Sequence, residues 1–349
     1  MSKSRAPKRT LVLLQPADRD VFPGTARWLD AWPVDEHFHV RHGLSADVER
    51  VARILTGNAV CLVFGGGASR GYAHIGVLRA FEELGIPIDA VGGTSMGAAV
   101  AAGAALGLTS SKVMTACTQI ARRAFDLTLP VVSIAAGKGQ MDGIHRVAGN
   151  LDIEDLRTTF FCVSTNLTRA EEVVHKRGKI ATAVRASMAV PGLFPPVPYN
   201  GDLLVDGGLS NNVPVDTMAS LLGGAVIAVD VIPEVDLRAE GELPMHLSGW
   251  EVAWRRLNPL AETIRMPNIA SILLRSVTTA SHGLRRGGQS AKLAALYLRP
   301  NVDHWNLLDF KSAGPIAEQG YRGTIDRIRA WWQEQTLRAD PSLVAAARA

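Results

Sequence analysis

An α/β fold, in which buried strands alternate with helices, is what this sequence predicts. Three observations carry it. Ala59–Phe64 is a continuous apolar run, the pattern of a strand buried on both faces, and Ile88–Gly92 and Ala225–Val231 read in the same way. The first two runs end in glycine-rich turns, Gly65–Gly71 and Gly93–Gly97. Each turn opens onto a helical stretch, so strand, turn and helix repeat as in layered α/β proteins.

The elements follow in order. Residues 1–10 form a basic tail whose apolar continuation, Leu11–Leu14, is too short for a signal-peptide core. A short strand is expected at Thr10–Gln15, then a segment with Trp28, Trp32 and the cluster His37, His39, His42. Asp47–Leu55 places Val48, Val51, Ile54 and Leu55 on one helical face. Tyr72–Leu84 is a helix stopped by Gly85 and Pro87, and a small-residue helix runs from Ser95 to Leu106. Ser110–Phe125 is helical. Leu127–Gly149, with proline and several glycines, reads as a mobile lid. Thr159–Ser164 and Glu172–Lys176 form a strand pair, and Ile180–Met188 is a helix. Val197–Tyr199 and Leu203–Val205 flank Asn200-Gly201, a strong hairpin signal. Ala239–Arg286 is helical in parts, and Pro315–Leu337 reads as one amphipathic helix.

Composition bounds the answer. With 349 residues, 47% apolar and 20% charged, the chain suits a soluble globular protein. Cys61, Cys117 and Cys162 lack metal or redox spacing and read as buried reduced thiols of a cytosolic protein. No run approaches the ~20 apolar residues of a membrane span. Between Glu251 and Pro300 eight Lys/Arg face only Glu251 and Glu262. With Trp250 and Trp254 nearby, and Trp331 and Trp332 further on, this suits an anionic membrane surface. A solvated helical face explains the charge equally well.

Three motifs carry chemistry. Gly93-Thr94-Ser95-Met96-Gly97 matches G-x-S-x-G between a strand and a helix, the setting of a nucleophile elbow. The turn lifts the Ser95 hydroxyl and brings the Met96 N–H to a developing oxyanion. As a lone pattern it is also an ordinary capped turn. Gly65-Gly66-Gly67-Ala68-Ser69-Arg70-Gly71 presents successive amides to an anion. It serves either as an oxyanion loop for Ser95 or as a dinucleotide loop, with Gly66, Ala68 and Gly71 approximating G-x-G-x-x-G and Asp89 following. Asp206-Gly207-Gly208 places a carboxylate on a tight turn, most often nothing more than a turn.

Together the three motifs resemble the patatin-like phospholipase family, which orders a glycine-rich oxyanion loop, a G-x-S-x-G serine and a D-G-G aspartate in this way. The resemblance spans roughly residues 58–232 and includes Ser187-Met188-Ala189-Val190-Pro191-Gly192 and Asn211-Asn212-Val213-Pro214. Ala52–Gly57, Ser248-Gly249-Trp250 and Gly320-Tyr321 are similar to the branch of neuropathy-target-esterase-like lysophospholipases. The resemblance implies a three-layer α/β fold with a central, mostly parallel sheet flanked by helices. It divides the chain into an N-terminal extension (1–57), a catalytic core (58–232) and a mainly helical C-terminal part (233–349). It implies a Ser95–Asp206 dyad without histidine, an oxyanion hole from Gly66, Gly67, Ala68 and Met96, and hydrolysis of (lyso)phospholipid esters through an acyl-enzyme. Arg70 would polarise the loop, meet phosphate or pair with a structural carboxylate. No cofactor, metal or nucleic acid is implied; the partners are the lipid and, peripherally, a membrane. Ala68 departs from the family, where a third glycine is usual.

Rival readings are an acyltransferase with the same dyad, a dinucleotide-binding protein, and a lipid-binding module without catalysis, for which Ala68 is the only support. His304 and His282 are candidates for a triad histidine, disfavoured because the D-G-G motif already supplies a base. His37, His39 and His42 have metal-like spacing without further ligands.

Overall fold

The computed structural model describes residues 8–232, the single positions 248, 254, 272 and 276, and residues 291–339. Trp250, His282 and nearly all of the Ala239–Arg286 segment lie outside the described residues.

Chain order begins with β1 (Thr10–Gln15), α1 (Thr25–Ala31), β2 (Glu36–Arg41), α2 (Ser45–Leu55) and β3 (Ala59–Phe64). Next come α3 (Tyr72–Glu83), β4 (Ala90–Thr94), α4 (Met96–Ala105), α5 (Ser110–Ala124) and α6 (Lys138–Ala148). They are followed by β5 (Thr159–Asn166), β6 (Glu171–His175), α7 (Ile180–Ser187), β7 (Val197–Tyr199) and β8 (Asp202–Asp206). The series closes with α8 (Val215–Leu221), β9 (Gly224–Val229), β10 (Leu296–Leu298), α9 (Ala313–Arg322) and α10 (Ile325–Ala339).

The main sheet runs β10-β9-β3-β4-β5 in parallel, as the buried apolar strands require, and gains β6, β8 and β7 as antiparallel neighbours. Alternate residues of β3 serve opposite faces. Val60, Leu62 and Phe64 join a core with residues of α3, α4, α5, α7, α9 and α10. Ala59, Cys61 and Val63 join a second core with Phe38, Val51, Ile54, Val215 and Met218 of β2, α2 and α8. The result is a sheet between two helical layers. The hairpin β7–β8 turns at Asn200 (φ 50°) and Gly201 (φ 86°), both left-handed as a two-residue hairpin turn demands.

Three expectations need correction. Residues 127–149 are not a lid without regular structure: Lys138–Ala148 is α6, and Leu127 bridges Ala135. The C-terminal helix is two helices, broken at Gly323-Thr324, where the Thr324 hydroxyl donates to Gly320 O (2.7 Å). Trp331 is buried in the core, which takes it away from any membrane interface, and Trp332 packs half-buried against that core. The histidine segment forms a strand, β2, paired in parallel with β1. There His37 and His39 donate to Glu154 O at 3.1 and 2.9 Å, tying this small sheet to the core.

Helices α3 and α9 cross at two glycines. A Cβ on Gly76 would lie 2.0 Å from Ala317 O, and one on Gly320 would lie 2.2 Å from Ala73 O. Neither neighbour is a flexible side chain, so a methyl must push the helices apart. Gly76→Ala should therefore cost about 1–3 kcal/mol. Thermal unfolding of the variant beside the parent measures this, and an unchanged midpoint would contradict the close crossing.

Candidate active site

Strand register creates the site. On β5, residues 159–163 pair with β4, and Ser164–Asn166 pair with β8. Because β6 pairs with Cys162–Asn166 as well, it must occupy the other edge. Strands β4 and β8 therefore share one edge of β5 and meet head to head. Thr94 lies opposite Val163, and Asp206 opposite Ser164, the next residue. Ser95 and Asp206, 111 positions apart by their numbers, are thus brought together at the junction.

Ser95 has φ 56° and ψ −124°, a strained conformation for a residue with a side chain. The turn is possible because Cβ atoms are missing beside it. One on Gly93 would lie 2.6 Å from Phe64 O, and one on Gly97 2.2 Å from the same oxygen. The Ser95 N–H donates to Ser187 Oγ (2.9 Å) at the end of α7, which holds the elbow from the helix side.

Asp206 is 2% exposed. Its Oδ1 accepts from Gly208 N–H (2.8 Å), and its main-chain O accepts from the Thr165 hydroxyl (3.0 Å). Burial pushes its pKa up to about 6, while the Ser95 hydroxyl and the Gly208 amide hold the rise back by favouring the ionised form. The Ser95 hydroxyl is near enough to act on the Asp206 carboxylate, yet Oδ2 makes no hydrogen bond among the described residues. No histidine hydrogen-bonds to Asp206 or Ser95 among the described residues.

The glycine loop lies against the elbow. A Cβ on Gly66 would be 3.1 Å from Ser95 Cβ and 2.7 Å from Asn212 Oδ1. The Gly67, Ala68 and Met96 amides have no hydrogen-bond partner among the described residues. Gly66 does not join them, since its N–H donates to Asn212 O (3.2 Å). Ala68 adopts φ 49°, a conformation that costs an alanine roughly 1–2 kcal/mol. Its methyl packs with Val190, Leu193 and Phe194. Beneath the loop, buried His74 donates from Nε2 to Gly65 O (2.8 Å). Arg70 donates to the carbonyls of Trp305 (2.8 Å) and Asp303 (3.0 Å). Asp89 sits at the far end of the sheet, bound to Arg53 and the Val60 N–H. It stands too far from the loop to receive a ribose, which removes the carboxylate of the dinucleotide reading.

An apolar pocket opens at Ser95, walled by Ala68, Met96, Ala99, Phe125, Met188 and Phe194 among others. A second cavity shares Ala99, Cys117 and Ile120 with it and continues along α4 past Ala102 and Gly103 to Leu106. At 1.5 Å per residue, the path from Ser95 to Leu106 is about 16 Å.

Sequence reasoning missed Ser164, His175 and Ser187. Ser164 is the cross-strand neighbour of Asp206, on the same face, and its hydroxyl bonds buried His175 Nε2 at 2.7 Å. The sequence signal for Ser164 and His175 was their place in the expected strand pair, and Ser187 stood in the Ser187–Gly192 motif without a role. His304 is exposed and stacks on Trp305.

The geometry can be set beside known proteins. A family model described as patatin-like phospholipase matches residues 62–219. The chain is 39% identical over 296 residues to mouse patatin-like phospholipase domain-containing protein 6, covering 82% of this chain and 22% of that protein. It is 32% identical over 382 residues to Drosophila melanogaster neuropathy target esterase sws (94% and 26%). It is 37% identical over 302 residues to the Mycosarcoma maydis lysophospholipase NTE1 (84% and 16%). The chain spans about a fifth of the length of these relatives. Among solved structures, VipD from Legionella pneumophila aligns at 13% identity over 68% of this chain and 66% of that one, with a TM-score of 0.35, too weak to bear on the fold.

Buried histidines make the fold acid-sensitive. Burial lowers His39, His74 and His175 from 6.5 to about 4. Their contribution to stability is complete above 6.5 and is lost as pH falls from there towards 4. Raised Asp206 acts oppositely, favouring the folded state as it protonates below about 6. With these three and His37, also lowered by burial, against one carboxylate, the thermal midpoint should fall between pH 6.5 and pH 4; calorimetry across that window checks it, and a rising midpoint would refute the balance.

Proposed function

We propose, from the premise that this chain belongs to the patatin-like phospholipase family, that it hydrolyses carboxylic esters of phospholipids or lysophospholipids with Ser95 as nucleophile and Asp206 as base. The observation that carries this reading is the meeting of a strained serine and a buried carboxylate at the mouth of an apolar pocket.

In this mechanism Ser95 Oγ attacks the ester carbonyl while Asp206 takes the hydroxyl proton. A carboxylate of ordinary pKa is a weak base; one raised to about 6 stays ionised at neutral pH yet binds a proton more readily. The Gly67, Ala68 and Met96 amides receive the oxyanion, aided by the positive end of α4. Asp206 then returns the proton to the leaving alcohol, leaving the acyl group on Ser95. A water, deprotonated by Asp206, attacks the acyl-enzyme, and Ser95 is regenerated. The acyl chain lies in the pocket along α4. No helix among the described residues is long and apolar enough to cross a membrane.

A fluorophosphonate probe should label Ser95, and Ser95→Ala should abolish both label and turnover. Label on another residue with Ser95 intact would overturn the assignment. Asp206→Asn should lower kcat by about 10³-fold or more while His304→Ala changes it little, since members of one catalytic unit fail together. For the parent, kcat/KM should rise with pH through about 6 as Asp206 ionises; a flat profile there would remove Asp206 as the base. Ala99→Phe narrows the pocket one turn beyond Ser95. It should depress kcat/KM for a long-chain lysophospholipid at least about tenfold more than for a butyrate ester. Equal losses on both esters would place the acyl chain elsewhere.

A further inference from the structure

Between α5 and α6 the chain forms a finger. Leu127 bridges Ala135, Thr128 N–H donates to Ile134 O (3.0 Å), and Ala136 N–H donates to Asp126 O (2.8 Å). Its root is pinned on both sides. The Ile134 and Ala135 amides donate to Gly192 O and Leu193 O, each at 3.0 Å, and the Asp126 carboxylate accepts from Gly137 and Gly139 N–H at 2.8 and 3.0 Å. The tip is a different chemistry. Leu127, Leu129, Val131 and Val132 are between 67 and 81% exposed, separated only by Thr128 and Pro130.

Single exposed aliphatic residues are ordinary, but four within six positions on a braced loop mark a surface that meets a partner. The tip holds no Trp, Tyr or Arg, the residues that anchor protein interfaces, and is built from Leu and Val, which are scarce there. The root shares its walls with the pocket, since Phe125 and Leu193 line both. Arg122 and Arg123 at the end of α5 and Lys138 at the start of α6 are exposed around it. An apolar tip with a basic collar is the arrangement of a segment that enters the headgroup boundary of an anionic bilayer.

We propose that the finger Leu127–Val132 inserts into the surface of a bilayer carrying anionic lipid, setting the Ser95 pocket mouth on the membrane. The choice of a lipid occupant rests in part on the ester-hydrolase reading above.

The test uses the full chain, vesicles of phosphatidylcholine with phosphatidylserine, and a soluble butyrate ester. Leu129→Ser with Val131→Ser should weaken vesicle flotation at least about tenfold, because two aliphatic side chains no longer leave water. Turnover of the butyrate ester should stay unchanged. In a separate Leu129→Trp protein, the indole emission should shift to the blue when vesicles are added. Parent-like flotation by the serine double variant, a parent that does not float, or an indole that stays in water each overturns the proposal. So does a change from dimer to monomer on serine substitution, which would assign the finger to a second copy of the chain. Flotation of the Ser95→Ala protein separates the two ideas. If it floats like the parent while the parent shows neither probe labelling nor ester turnover, the hydrolase reading fails and the finger stands.

Discussion

One edge of β5 governs this molecule. It holds β4 for five residues and then β8 for three, so that two strands running in opposite directions end against each other. Side chains in a strand alternate between faces, so a slip of one residue in β8 would turn Asp206 to the far face and leave Ser95 without a neighbouring carboxylate. Gly207 enforces the junction: a Cβ there would stand 2.3 Å from Val163 O and 3.1 Å from the Thr94 methyl. Asn211 O takes the Thr94 hydroxyl at 2.8 Å, which fastens the two strand ends from the other side.

Two local costs are held in place by this frame. Ser95 occupies a backbone region that disfavours side chains, and Asp206 keeps a carboxylate out of water with one oxygen lacking a well-formed hydrogen bond. Each alone is worth a few kcal/mol at most. They are borne by the surrounding sheet and helices, including the fully buried Phe64, Tyr72 and Phe161. Ser164 and His175 add a polar support on the face of Asp206, where burial keeps the imidazole neutral.

The sequence made the elements near the chemistry legible because their signals are local. Strand Ala59–Phe64, the hairpin at Asn200-Gly201 and the turns around Ser95 and Asp206 each follow from a few adjacent residues. What it could not display was register between distant segments. Ser164 reads as one polar residue in a strand until β8 is laid beside it. His37 and His39 look like metal ligands until the Glu154 carbonyl, far along the chain, is seen to take both. The break at Thr324 was hidden because apolar spacing continues through it, and a hydroxyl bonded to the preceding turn leaves no trace in that spacing. Trp331 carried an ambiguous signal, and packing resolved it towards the core.

The glycine loop shows how far the site reaches. Its inner side is held by His74, whose ring also packs against Phe64 with centroids 5.0 Å apart. Its outer side is held by the segment after β10. Ser69 donates from N to Leu307 O (3.1 Å) and from Oγ to Asn306 O (2.8 Å), while Arg70 takes the carbonyls of Asp303 and Trp305. From the same segment Leu308 and Phe310 reach the pocket wall. An oxyanion site built from main-chain amides has no rotamer to adjust, so its geometry is only as fixed as the backbone that carries it. Residues more than 200 positions from Ala68 therefore fix the loop beside Ser95, and the Arg70 bonds to the Asp303 and Trp305 carbonyls help close that brace.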